Sequence, residues 1–306
     1  MKRKPMDALA GGTMLLLCLI WAMQQIALKA TAADFSPVYQ IAARTVGGAL
    51  LVGLLMAWRG PAPGAALRCW KPGVLAGSLY ALEFILLGES LRFTTAGHAV
   101  VLLYTAPIFA ALGLHWKLPE ERLAPLQWLG VVLAFAGVGL AFLVRESGPV
   151  SLAPAMLLGD FLALLGGAAW GATTVVVRVT RLSELPASQT LMYQLVVGAA
   201  WLLLSAFALG QAHFNATPLV WASLTFQILF VAVASYLTWF WLLRRYLASR
   251  LGVFSFLTPL FGVVLGAWLL GEPIGKGFLF GALLVVLGVV LLSGYGWYAH
   301  WRAFNR

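Results

Sequence analysis

Charge is scarce in this chain. Only 10% of its 306 residues are Asp, Glu, Lys or Arg, against about 25% in a soluble domain. No stretch is long and polar enough to make a separate soluble domain. Cysteine is nearly absent. Cys18 falls inside the first apolar run and Cys69 just before the third, near the cytoplasmic face; the two are not expected to meet, so neither a disulfide nor a metal site is expected. There is no Walker loop, which argues against ATP as the direct fuel. No H-E-x-x-H run, Cys/His cluster or G-x-S-x-G elbow offers the usual signature of a metal or serine hydrolase. The expectation is a protein that is not an enzyme and needs no cofactor.

Apolar sequence fills the space instead. The chain is 62% hydrophobic with a mean hydropathy of +0.92. Stretches of about 20 apolar residues, enough to cross roughly 30 Å of hydrocarbon, follow one another along its length. Ten spans are expected, at 8–29, 37–58, 72–91, 95–116, 125–144, 158–179, 188–209, 217–243, 250–270 and 277–297. Five fall on each side of a short linker at 145–149, which divides the chain into units 1–148 and 149–306. The basic start followed by an apolar run looks like a signal peptide. That run is longer than the usual 7–15 residues and more spans follow, so it reads as an uncleaved first helix.

The net charge of +10 does not imply nucleic acid, because its distribution is that of a membrane protein. With the N-terminus inside, fifteen Lys and Arg fall in cytoplasmic segments and four, namely Lys29, Arg92, Arg145 and Lys276, fall outside. That bias follows the positive-inside rule and puts both termini in the cytoplasm.

The two halves repeat one another. Trp21-Ala22 returns as Trp170-Gly171, with Lys29 and Pro37 matched by Arg178 and Pro186 at the same spacings. Thr105-Ala106-Pro107 leads to Glu121, Gly130 and Gly137, as Leu257-Thr258-Pro259 leads to Glu272, Gly281 and Gly288. An odd number of spans per half inverts the second copy relative to the first. The fold class expected is therefore all-α integral membrane, with ten transmembrane helices as two inverted five-helix repeats. Folds of this kind hold their substrate between the repeats near mid-bilayer and work by alternating access.

Polar residues inside the spans carry the functional information, since a central charge costs about 2.5–3.5 kcal/mol on insertion scales. Glu83 is near the middle of the third span, one turn after Tyr80. Its carboxyl is a candidate to carry a proton or to anchor a substrate ammonium. Arg44 can pair with it, bind a substrate carboxylate or snorkel; the repeat puts Tyr193 at the matching place. His98 is a second proton-coupling candidate. Trp21, Gln25, Tyr104, Trp170 and Trp239 are candidates for an aromatic cavity wall, although Trp and Tyr also crowd membrane interfaces. Pro107 and Pro259 break helix hydrogen bonding and can act as hinges, with Thr105 and Thr258 placed to take up freed carbonyls. Glu89 with Arg92 reads as an exposed ion pair, and His115 and Asp160 read as structural.

These residues resemble the EamA-like family of the drug/metabolite transporter superfamily over nearly the whole chain. The resemblance lies in Leu19-Ile20-Trp21-Ala22 with Lys29 and Arg44, and in Ser90-Leu91-Arg92-Phe93-Thr94-Thr95-Ala96 running to Pro107. It continues through Glu121-Arg122-Leu123 with Gly130, then Trp170-Gly171, Pro259 and Gly271-Glu272-Pro273. It implies a ten-helix bacterial inner-membrane carrier, often an exporter of amino acids or related metabolites. The chain departs from the family in lacking a second-half Arg to match Arg44, and Glu83 is not a hallmark of it. The reading is a secondary transporter exporting small metabolites, with amino acids foremost, coupled to protons or not, and monomeric or weakly dimeric. The rivals are an organic-cation exporter or uncoupled facilitator of the same fold, and a membrane-embedded lipid enzyme, for which no carboxylate cluster is visible.

Overall fold

Hydrocarbon offers backbone N–H and C=O groups no partner, so apolar runs of this length fold as helices. The computed structural model describes residues 6–58, 68–90, 92–94, 96–143, 154–270 and 280–291. Among them the secondary structure is helical, apart from one isolated bridge between Phe35 and Phe214. The helices are α1 (Ala8–Ala30), α2 (Pro37–Trp58), α3 (Trp70–Ser90), α4 (Ala96–Leu103), α5 (Ala106–Lys117) and α6 (Pro125–Leu143). The second half contributes α7 (Pro154–Val179), α8 (Ala187–Ala208), α9 (Pro218–Arg245), α10 (Ala248–Phe254), α11 (Leu257–Leu270) and α12 (Phe280–Leu291).

Helix ends follow local chemistry. Asp7 caps α1 by accepting from the Ala10 amide at 2.9 Å, and Thr217 caps α9 ahead of Pro218. Lys29, Arg178, Arg244 and Arg245 lie in the last turns of their helices, where the dipole favours cations. Within α9 the stretch Gln227–Ser235 is π-helical, a local widening often found at functional sites.

Seven stretches are long and apolar enough to cross a membrane, with α6 and α12 as shorter apolar helices. Each of the ten expected spans contains helix, and among the described residues two of them carry a short break in the helix. The fourth is interrupted at Tyr104 and Thr105 between α4 and α5; the ninth, at Ser255 and Phe256 between α10 and α11. Both breaks come just before the expected prolines, Pro107 and Pro259. In each a hydroxyl takes up a loosened carbonyl: Thr105 donates to Leu102 O and Ser255 to Gly252 O, both at 2.6 Å.

Packing is reciprocal between the halves. α1 lies against α11 and α7 against α5. The Cys18 thiol of α1 meets the Phe254 carbonyl at 3.2 Å, beside the second break. Gly167 of α7, Cys18's counterpart in the repeat, faces the Leu102 and Leu103 carbonyls at the first break. α2 packs on its counterpart α8, with Gly48 against Leu195 and Gly53 against Met192, an antiparallel register. α6 and α12 meet the same way, Gly137 against Gly281 and Gly288 against Gly130. A Cβ at Gly288 would lie 2.6 Å from the Ala134 amide nitrogen, and one at Gly137 would lie 2.8 Å from that of Val285. Gly→Val at 288 is therefore expected to destabilise the purified protein by about 1–3 kcal/mol, lowering its melting temperature in detergent. Gly12→Val is the control, since nothing lies within 4 Å of an added Cβ there; equal melting of the two variants would contradict this packing.

Candidate functional site

A chamber lies between the halves. It encloses about 790 Å³ of non-atom space, its open mouth included. α1, α3 and α4 from the first half and α7, α8 and α9 from the second supply its walls. Seven of the residues singled out in sequence meet there: Trp21, Gln25, Tyr80, Glu83, Tyr104, Trp170 and Trp239.

The rings are arranged across the halves. Trp21 of α1 stands edge-on to Trp239 of α9, with centroids 5.9 Å apart. Its repeat counterpart Trp170 of α7 stands edge-on to Tyr104 at 5.4 Å. Tyr80 packs edge-on to both Phe84 at 5.1 Å and Tyr236 at 6.1 Å. The Trp21 indole donates to Ser235 Oγ at 3.0 Å, at the end of the π-helical stretch. These edge-to-face contacts hold the rings in fixed mutual orientation along the chamber wall.

The polar wall is different in kind. Glu83 is 92% buried, at 8% exposure, and its carboxylate has no hydrogen-bond or ion-pair partner among the described residues. The side-chain amides of Gln24, Gln25 and Gln194, which also line the chamber, make no hydrogen bond to described residues either. Buried polar groups are ordinarily paired. Glu83, Gln24 and Gln194 are buried and Gln25 is half-buried; together facing one chamber, they mark a place for water or solute to supply the partners.

Arg44 does not reach this chamber. It is fully buried on the far side of Phe84, its guanidinium carbon 4.9 Å from that ring. It donates to Tyr236 Oη at 3.2 Å and to Gln227 Oε1 at 3.4 Å. From Gln227 a buried polar chain continues through Ser223 and Gln40 to Thr31. Neither snorkelling nor a direct Glu83 pair describes Arg44; side-chain dipoles and an aromatic face hold it. Tyr193 also stands outside, its ring seated against α3 at Gly73, while its neighbour Gln194 points into the chamber. The His98 backbone belongs to α4, and its side chain lies outside the described residues.

Each end of the chamber is tied across the halves. At one end Asn215 donates to Asp34 at 3.0 Å, Gln211 donates to Glu89 at 2.9 Å and Phe35 packs on Phe214 at 4.9 Å. The expected Glu89–Arg92 ion pair forms beside them at 2.7 Å. At the other end Glu121 is fully buried. It pairs with Arg178 and accepts from the amides of Ala248 and Ser249 and from the Ser249 hydroxyl. That carboxylate satisfies the first amides of α10 while joining α7 to the end of α5. Sequence reasoning did not find this clasp or Gln194. The signals were present: Arg178 is the counterpart of Lys29, and Gln194 is one position from Tyr193.

A bundle of apolar helices around a chamber walled by aromatic and polar side chains is the architecture of a multi-pass membrane transporter. The chain belongs to the EamA-like transporter family, part of the drug/metabolite transporter superfamily, whose profile matches it twice, at residues 9–143 and 157–294. An uncharacterized transporter of Archaeoglobus fulgidus is 29% identical over 90% of this chain and 94% of its own. An uncharacterized transporter of Bacillus subtilis is 25% identical over 89% and 92% of the two chains. An uncharacterized protein of Pseudomonas aeruginosa is 31% identical over 94% and 91%. A solved crystal structure, 19% identical, superposes with a TM-score of 0.78 over 93% of this chain and 98% of that one, which is a likeness of fold.

Glu121→Ala would strip Arg178 of its buried carboxylate, and breaking such a pair costs about 3–5 kcal/mol. The expected outcome is a clear loss of thermal stability in detergent, while Arg92→Ala, at a side chain 60% exposed, shifts it little. Similar melting of both variants would show that the buried clasp does not hold the halves together.

Proposed function

We propose that the protein is a secondary carrier moving small amine-bearing metabolites, the class to which amino acids belong, out of the cytoplasm. The single observation that carries this reading is the unpaired Glu83 carboxylate facing a chamber shared by both halves. A structural carboxylate would be paired, as Glu121 is; one that faces a chamber alone is available to a solute ammonium or a proton.

The two units, 1–148 and 149–306, are read as inverted five-helix repeats. The antiparallel contacts of α2 with α8 and of α6 with α12 support this, because an axis in the membrane plane brings equivalent helices together in that sense. Alternating access then consists of releasing one cross-half clasp while the other holds. The broken helices at Pro107 and Pro259 are the natural places to bend, and His98 is a second group for proton movement. The positive-inside bias supports cytoplasmic termini and puts the Glu121–Arg178 clasp on the cytoplasmic side. Bacterial relatives support the inner membrane as its location.

Reconstituted protein is expected to take up labelled amine-bearing metabolites into liposomes with a rate that varies with pH. Glu83→Gln should slow uptake by about 10-fold or more, the loss of roughly 1.4 kcal/mol or more of charge-assisted interaction, and flatten its pH profile. Full activity with an unchanged profile in that variant would remove Glu83 from the mechanism.

A further inference from the structure

Within this carrier reading, the chamber has a polarity that decides what it recognises. Glu83 is the only charged residue among the described residues that line it. No described Lys or Arg shares its wall. Arg44 packs on Phe84, is engaged with Tyr236 and Gln227 and is felt by Glu83 only through its field, so a solute carboxylate has no cation to touch. An amino group, by contrast, meets an unpaired carboxylate, flanking amide oxygens and aromatic faces, the surroundings that suit an ammonium.

We propose that the site reads its solute by the amino group and an apolar body, and discriminates against a free carboxylate. The substrate class is accordingly aromatic or apolar amines and carboxyl-blocked amino-acid derivatives rather than free zwitterionic amino acids. The geometry gives the reason. A zwitterion placing its ammonium on Glu83 would carry its own carboxylate into a wall built largely from indoles, phenols and Phe84, where only neutral amide, hydroxyl and indole N–H donors could answer it. Removing that carboxylate, or capping it as an amide, removes the penalty and keeps every favourable contact. The three indoles Trp21, Trp170 and Trp239 supply the flat apolar surface for the remainder of the molecule.

The experiment is a four-ligand binding series on the purified, unmodified full chain in detergent, read by quenching of its tryptophan fluorescence. The ligands are phenethylamine, phenylalanine amide, phenylalanine and phenylacetate, which share a benzyl group and differ in whether they carry an amino group, a carboxylate or both. The amine and the amide are expected to bind at least about tenfold tighter than phenylalanine, the low end of what an unanswered polar group costs in a binding site. Phenylacetate is expected to bind most weakly. Phenylalanine binding as tightly as its amide would overturn the inference, as would phenylacetate binding as tightly as phenethylamine, or failure of both amines to bind. Uptake of labelled phenethylamine into proteoliposomes is measured beside it. Tight binding with no uptake would sink the carrier reading and leave the selectivity standing. Equal uptake of amine and zwitterion would sink the selectivity and leave the carrier.

Discussion

One unpaired carboxylate sets the terms for this structure. Burying Glu83 in a helical bundle costs free energy that no hydrogen bond or direct ion pair among the described residues offsets, although Arg44 attracts it at a distance. Its neighbourhood makes sense only if something else meets it. The chamber, the three unpaired amides beside it and the rings that frame them follow from that requirement: polar enough to hold water or an ammonium, apolar enough to hold little else. The rest of the molecule builds a frame around this place and ties the two halves together on either side of it.

Contrast with Glu121 sharpens the point. Both acids are buried, yet Glu121 is met by a guanidinium, two backbone amides and a hydroxyl. One carboxylate joins elements; the other waits on a wall. Arg44 shows the same logic for a cation. It is buried without a carboxylate in contact, held by a tyrosine, a glutamine and a phenylalanine face, and a chain of amides and hydroxyls leads away from it toward Thr31. The chamber's charge is thus one-sided even though a positive group lies one ring away.

Much of the fold was legible in the sequence, because membrane solvation imposes long apolar runs and the repeat copies its landmarks. Trp21 and Trp170 were recognisable as equivalents and do meet partners from the opposite half. Pro107 and Pro259 announced interrupted helices, and the interruptions are there. What the sequence could not show was helix phase. Arg44 and Glu83 were natural partners by polarity, but Phe84 comes between Arg44 and the chamber. Tyr193 was chosen by repeat arithmetic, and a turn of one residue brings Gln194 to the wall instead. The Glu121 clasp was hidden because its partners are 57 and 128 positions away along the chain.

The most direct test of the central claim is a high-resolution structure of the protein in lipid nanodiscs with phenethylamine present. The account predicts density for a solute or ordered water within hydrogen-bond distance of Glu83, between Trp21, Trp170 and Trp239. A dry, collapsed chamber, or a Glu83 carboxylate turned onto Arg44, would contradict it.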